Sequence, residues 1–245
     1  MTENPGADRI ADLLETRMSG DARRTLSDLA RNARRVPAQT HILDELDEAP
    51  EVVLLFDGWV SLYKTLGEGH NQIVDFAIPL EIVHPASADG HTATFSMQAV
   101  TDSTVLTLKA ARWDQLLAGD RGLARLDTVL SRAARSRVSE RMLRLGQANA
   151  KTCVAYALVE LCLRLGARGR TDECAYHLPI TQQKLGEFVG LTSVHVCRIL
   201  GQMSDAGIIE STDHIDIRVH DPDALLALAG VEFDALAGEI LPPLG

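Results

Sequence analysis

The run from Leu178 to Glu210 constrains this chain more than any other part of its sequence. It reads LPITQQKLGEFVGLTSVHVCRILGQMSDAGIIE. Thr181 and Thr192 are residue types that favour helix N-caps, and Gly190 favours a helix end because glycine adopts the left-handed conformation without steric cost. The apolar residues between these signals recur at steps of three and four, which is typical of helices with one buried face. The run therefore predicts two short helices joined by a glycine turn and followed by a strand, the layout of a winged helix-turn-helix.

The same run closely resembles the DNA-binding signature of the Crp/Fnr family of bacterial transcription regulators. Thirteen positions match without a gap: Leu178, Ile180, Thr181, Gln182, Leu185, Val189, Gly190, Leu191, Thr192, Val194, His195, Val196 and Arg198. The resemblance implies a homodimer that binds a palindromic site on double-stranded DNA, and RNA polymerase as a further partner if the protein is an activator. It also implies an N-terminal sensor domain that resembles a cyclic-nucleotide-binding double-stranded β-helix.

By this resemblance the second helix reads bases through Ser193, Val194 and Arg198. We expect Arg198 to contact guanine O6 and N7, because the guanidinium fits that pair of acceptors. The candidates for phosphate contacts are Thr181, Gln182, Thr192 and His195. Cys197 lies beside Arg198, and we interpret it mainly as a small packing residue. An alternative hypothesis is redox control, because an oxidised cysteine would add bulk and charge next to DNA.

Net charge argues against a simple basic DNA-binding domain. The chain carries a formal charge of −10, and residues 149–245 hold seven Lys/Arg against thirteen Asp/Glu. We therefore expect binding to depend on a few local cations, on helix N-termini that face phosphates, and on dimerisation.

The N-terminal half changes from helical to strand periodicity. Residues 8–35 have a helical pattern, with Ile10, Leu13, Leu14 and Met18 on one face. From 37 to about 109, short apolar runs separated by turn residues predict an antiparallel sandwich or barrel. The five predicted strands are Val52–Phe56, Trp59–Tyr63, Ile73–Phe76, Phe95–Val100 and Val105–Leu108. Together with the domain order that the resemblance implies, this pattern predicts an α+β chain with an N-terminal antiparallel β-roll, a long dimerisation helix and a C-terminal winged helix-turn-helix.

The predicted sensor departs from the family that it resembles where a cyclic nucleotide would bind. Members that bind one carry Gly-Glu and Arg-Ser pairs, and this chain has no arginine between Arg35 and Arg112. A site without a cation should not retain a phosphate, so we expect no cAMP or cGMP binding. His84 and His91 lie in the degenerate segment and are the first choice for any small-ligand site.

Other cofactors have little support. An Fnr-type iron–sulfur cluster is excluded because no cysteine precedes Cys153, and we predict no metal site. Haem is a minor alternative through the sensor histidines. No catalytic constellation is present, and a cupin-like metal centre would need a histidine and glutamate pattern that is absent, so we expect no enzyme. A remaining alternative is a dimer with a decayed sensor that binds DNA constitutively.

A long helical pattern runs from Arg112 to Gly146. Seven residues form an apolar stripe that we predict to be the dimer interface: Leu123, Leu126, Leu130, Ala134, Val138, Met142 and Leu145. The alternative is a helix packed on its own sheet. We interpret its arginines as a solvated face. The expected domains are 1–111, 112–148 and 149–245, with a hinge at Asn149. With no signal peptide or membrane-spanning run, a cytoplasmic location is expected.

Overall fold

The computed structural model describes residues 21–48, 50–67, 69–167, 175–211 and 216–242. They form two compact units. The second unit contains Thr65–Ile73 and Ala133–Leu241, and the first contains the described chain up to Lys64 together with Val74–Arg132.

The first unit is built on antiparallel sheets and helices. In chain order the elements are α1 (Asp21–Ala30), β1 (Arg34–Val36), β2 (His41–Leu43), β3 (Val52–Asp57), β4 (Val60–Thr65), β5 (Asn71–Ala77), β6 (Ile82–Val83), β7 (Ser96–Ala99), β8 (Ser103–Leu108), α2 (Ala110–Gly119) and the start of α3 (Arg121–Gln147). One four-stranded sheet has the order β1-β8-β3-β6 and the other β2-β7-β4-β5. All five predicted strands are confirmed. The strands β1, β2 and β6 are too short to show a period in the sequence.

Strand β3 explains where the core of the first unit lies. Its side chains alternate between two faces. Val53 and Leu55 join a cluster drawn from both sheets. Leu54 and Phe56 point to the other face and pack in a cluster with Trp113 of α2. Because both faces are covered, the strand is apolar from Val52 to Phe56 and shows no polar alternation.

Two predictions for this part of the chain need correction. The N-terminal helix ends at Ala30, and Arg34–Val36 is a strand paired with β8. The segment with Ile10, Leu13, Leu14 and Met18 lies outside the described residues. The second correction concerns α3. Leu123, Leu126 and Leu130 are buried in the chain's own core, in the cluster that contains Trp113. They are not free to form a subunit interface, so the alternative of a helix packed within its own chain holds for this half of α3.

The second unit contains the rest of α3 and the C-terminal elements. These are α4 (Ala150–Ala167), β9 (Ala175–His177), α5 (Gln182–Val189), α6 (Ser193–Asp205), β10 (Ile209–Ser211), β11 (Asp216–Val219), α7 (Pro222–Ala229) and α8 (Phe233–Ile240). Its sheet has the order β10-β11-β9. The strand predicted after the second helix is confirmed as β10, whereas β9 and α8 have no counterpart in the prediction. The side chain of Asn149 caps α4 by accepting a hydrogen bond from Thr152 N at 3.0 Å.

Across the described segments, no helix combines the length and the apolar character that a bilayer crossing requires.

Candidate nucleic-acid interface

Helix α5 is fixed at both ends by contacts that its sequence encodes. The hydroxyl of Thr181 accepts a hydrogen bond from Lys184 N at 3.2 Å, as expected of an N-cap. At the other end Gly190 has φ 68°, the left-handed conformation that ends a helix. Gln72, which belongs to the same compact unit, donates from Nε2 to the carbonyl oxygen of Glu187 at 2.7 Å. This bond satisfies one of the carbonyl groups that a helix end leaves without a partner.

Helix α6 presents a polar edge over an apolar base. Thr192 caps it, because its hydroxyl accepts from His195 N at 3.3 Å. The buried face consists of Val196, Ile199, Leu200 and Met203, which recur at the three- and four-residue steps noted in the sequence. The remaining faces of the first two turns are therefore turned outward, as a helix that enters a DNA groove requires.

The seven predicted DNA-contact residues lie at the start of α5 and in the first two turns of α6. Thr181, Thr192, Ser193, Val194 and Arg198 are exposed, and Gln182 and His195 are partly exposed. Val194 is 78 % exposed. An exposed apolar side chain at this position suits contact with a thymine methyl group.

Charge around α6 is sparse. Within the described chain, Arg198 has no salt-bridge partner and is free to bind an external acceptor. Lys184 is half-buried, and desolvation lowers the pKa of its ammonium group. In the wing sheet, Glu210 lies 3.8 Å from Arg218 and 3.6 Å from His220, so these groups are already opposed by an acid. The region therefore offers few unopposed cations, in line with the acidic composition.

Cys197 is exposed on α6, next to Arg198. The interpretation of this residue as a packing residue is therefore wrong, because its side chain faces outward from the buried stripe. The exposure leaves the redox hypothesis open to test.

The two histidines proposed for a small-ligand site are both exposed, and His84 forms a hydrogen bond with a residue of helix α3. Its Nε2 lies 2.8 Å from Asp127 Oδ1, and Trp113 Nε1 donates to the same oxygen at 3.3 Å. Asp127 is on α3 and Trp113 on α2. No contact among the described residues joins His84 to His91, and no group of three or more metal-binding side chains was found there.

The turn that contains Leu80 and Glu81 is buried. Leu80 has φ 72°, a conformation that is unfavourable for a bulky residue. Leu80 is buried in the core of the first unit. The next residue, Glu81, is also buried, and its Oε2 accepts from Ile78 N at 3.4 Å. The carboxylate therefore bonds within its own turn.

The helical pattern alone does not predict that three arginines of α3 are buried. Arg137, Arg141 and Arg144 were interpreted as a solvated face, and all three are buried in the second unit. Arg141 Nη1 lies 2.5 Å from Oε1 of Glu160, which is fully buried on α4, and Arg164 Nη1 lies 3.4 Å from the same oxygen. A glutamate inside the apolar helix at 154–165 was the signal that could have revealed this network, because a buried carboxylate needs a cationic partner.

Comparison with known proteins agrees with this geometry at both ends of the chain. The family model for a cyclic nucleotide-binding domain matches residues 33–120, and the model for a Crp-like helix-turn-helix domain matches residues 154–228. The chain belongs to the Crp/Fnr family. It is a transcription regulator of the Crp/Fnr type with a DNA-binding helix-turn-helix domain.

Two curated relatives illustrate the similarity of this Crp/Fnr regulator. The transcriptional activator protein FnrA of Stutzerimonas stutzeri is 26% identical over 211 residues, which cover 86% of this chain and 85% of FnrA. The nitrogen fixation regulation protein FixK of Rhizobium meliloti is 28% identical over 171 residues, covering 70% and 74%.

Solved structures share the fold of this Crp/Fnr regulator. FixK2 from Bradyrhizobium japonicum superposes with a TM-score of 0.71 at 24% identity, over 82% of this chain and 98% of FixK2. A mutant of CooA from Carboxydothermus hydrogenoformans gives a TM-score of 0.67 at 15% identity, over 83% and 90%.

Proposed function

We propose that the protein acts as a homodimer that binds an inverted repeat in DNA and does so without cAMP. The observation that carries the proposal is the start of α6, where a capped helix end presents Ser193, Val194 and Arg198 outward together. A regulator of bacterial genes that works in this way acts in the cytoplasm, and an activator would also contact RNA polymerase.

Dimerisation through the second half of α3 is supported by an exposed apolar strip. Val138, Met142 and Leu145 are exposed on α3, and Leu143 is exposed beside them. They continue the predicted stripe at steps of four and three residues, which is the spacing of a two-stranded coiled-coil seam. Ala134 of the same stripe is partly exposed. We therefore propose that the dimer interface contains Ala134, Val138, Met142 and Leu145.

Dimerisation also addresses the shortage of cations. Two copies of α6 related by a two-fold axis would reach half-sites about 34 Å apart, one turn of B-DNA. Each copy needs to neutralise few phosphates, because the second binding event is then intramolecular.

Independence from cAMP is supported by the first unit. Glu81 is buried and bonded within its own turn, and no arginine lies between Arg35 and Arg112 to neutralise a cyclic phosphate. A bound anion needs such a partner. A dimer with a decayed sensor that binds DNA constitutively is the second candidate, and the bond from His84 to Asp127 favours it because it occupies a proposed ligand residue.

The test uses the ligand-free protein and the DNA sequence that it selects from a random pool. We expect binding of two chains per duplex, with an affinity that cAMP at millimolar concentration leaves within twofold. A requirement for cAMP would contradict the proposed independence. Binding by a single chain would contradict the proposed dimer. A haem or redox requirement would appear as binding only by protein with haem added or with its thiols reduced.

A further inference from the structure

Arg141 contacts two different helices of the second unit at once. Its Nη1 lies 2.5 Å from Glu160 Oε1 on α4, and its guanidinium carbon lies 4.7 Å from the centre of the Phe188 ring on α5. A guanidinium can do both, because it donates hydrogen bonds in its plane and stacks through its face. An ammonium group could satisfy the carboxylate but could not stack in this way.

Burial of the ion pair between Arg141 and Glu160 costs desolvation free energy, which apolar packing at the same place would not cost. Arg141 is 6 % exposed and Glu160 is 0 % exposed. Removing two charges from water is expensive, and apolar side chains of similar size often serve stability as well or better. A buried ion pair of this kind is therefore better explained by the geometry it imposes than by the stability it adds.

Phe188 lies on α5, close to the turn that leads into α6. It is fully buried and lies two residues before Gly190, where α5 ends. The turn that follows is tightly packed, since Leu191 N donates to Gly186 O at 2.9 Å. A Cβ built on Gly186 would lie 2.4 Å from Leu191 O. Because the turn leaves no free space, α6 must follow a displacement of α5.

We infer that Arg141 is a positioning residue for DNA recognition, acting through Phe188 to set the pose of α5 and α6. The inference rests on the proposed DNA-binding function. It assigns to the planar face of the guanidinium a role distinct from the charge that neutralises Glu160.

Helix α3 offers a matched control at Arg144. Its guanidinium carbon lies 4.5 Å from the centre of the Tyr156 ring, and it pairs with Glu140 at 2.8 Å. Arg144 therefore combines an ion pair and a ring contact as Arg141 does. Its ring partner is on α4, so the contact does not reach the helix-turn-helix.

The experiment compares full-length Arg141→Lys, Arg144→Lys and wild-type protein on the duplex that wild type selects and on an unrelated duplex. Lysine keeps the charge beside Glu160 and removes the stacked plane. For Arg141→Lys we expect an unfolding midpoint within a few degrees of wild type, an unchanged affinity for the unrelated duplex, and about a fivefold loss of specific affinity. Arg144→Lys should stay within twofold on both duplexes.

A double-mutant cycle with Phe188→Leu separates positioning from simple packing. If Arg141 acts through this ring, Phe188→Leu loses specific affinity to a similar extent, and adding Arg141→Lys to it causes no further loss. Additive losses would overturn the inference, as would equal effects of Arg141→Lys and Arg144→Lys, or a loss that follows the unfolding midpoint. Failure of wild type to select any duplex would instead reject the proposed DNA-binding function, and the inference with it.

Discussion

A Cβ added to Gly186 would lie 2.4 Å from the carbonyl oxygen of Leu191, closer than real side chains approach a backbone atom. The contact closes the turn between α5 and α6. We expect Gly186→Ala to lower the free energy of unfolding by about 1–3 kcal/mol, because overpacking must move one helix. Gly238 is the matched control, since it is also helical and has no atom within 4 Å of the added position. Urea unfolding of Gly238→Ala should show a gain of up to about 1 kcal/mol. Equal effects of the two substitutions would contradict the assigned contact.

The bond between Thr25 and Asp120 predicts a pH dependence of stability. Thr25 Oγ1 donates to Asp120 Oδ2 at 2.6 Å, and Leu123 N donates to Oδ1 at 2.9 Å. These donors lower the pKa of the Asp120 carboxyl below its ordinary value of 3.8. A lowered folded-state pKa contributes stability above the unfolded pKa, and the contribution is lost as pH falls through the folded-state pKa.

We therefore expect Thr25→Val to cost about 1 kcal/mol at pH 6, with the difference from wild type shrinking below pH 3.8. Thr128→Val is the control, because Thr128 donates to the neutral carbonyl oxygen of Ala124. Its effect should not change with pH. Urea unfolding of both variants from pH 6 to pH 3 makes the comparison. A constant difference for Thr25→Val would show that the bond does not depend on the carboxylate.

The two halves of the predicted stripe on α3 should respond differently to substitution. Met142 is 68 % exposed, whereas Leu130 is buried in the first unit. We expect Met142→Glu to convert the dimer to a monomer in sedimentation velocity with unchanged helical circular dichroism. Leu130→Ala should instead lower the free energy of unfolding by about 2–5 kcal/mol, because it leaves a cavity. A dimer that survives Met142→Glu would exclude this strip as the interface.

Oxidation of Cys197 should weaken DNA binding. The thiol is exposed beside Arg198, and an oxidised sulfur would bring bulk and charge to the surface that faces DNA. Operator affinity is measured with and without peroxide for wild type and for Cys197→Ser. We expect wild type to lose affinity and regain it with a thiol reductant, while the variant is insensitive. Equal sensitivity of both proteins would reject the hypothesis.

The parts of the fold that the sequence predicted best are those with local causes. The caps at Thr181 and Thr192 and the turn at Gly190 depend on contacts between residues a few positions apart, so the sequence alone locates them. The long strands are visible for the same reason. Strands of two or three residues, such as β6, exist only because a neighbouring strand pairs with them.

Helix α3 shows what a linear pattern cannot supply. The pattern identifies an apolar stripe but not the partner that covers it, and the sheet covers Leu123 while Met142 remains exposed. The pattern also does not predict the buried arginines. Arginine normally lies on protein surfaces, and the burial of Arg141 is tolerable only because Glu160, on another helix, is its ion-pair partner.

We propose that the exposed edge of α6 reads DNA bases, and selection of bound sequences by wild type and by Arg198→Ala is the experiment that examines this proposal. We predict that wild type enriches an inverted repeat with a guanine at a symmetric position, and that Arg198→Ala loses the preference at that position with about 1–3 kcal/mol of specific affinity. Val194→Ala should alter a different position. If wild type and Arg198→Ala enrich the same sequence and bind it with equal affinity, Arg198 does not read a base and the proposed role of α6 is wrong.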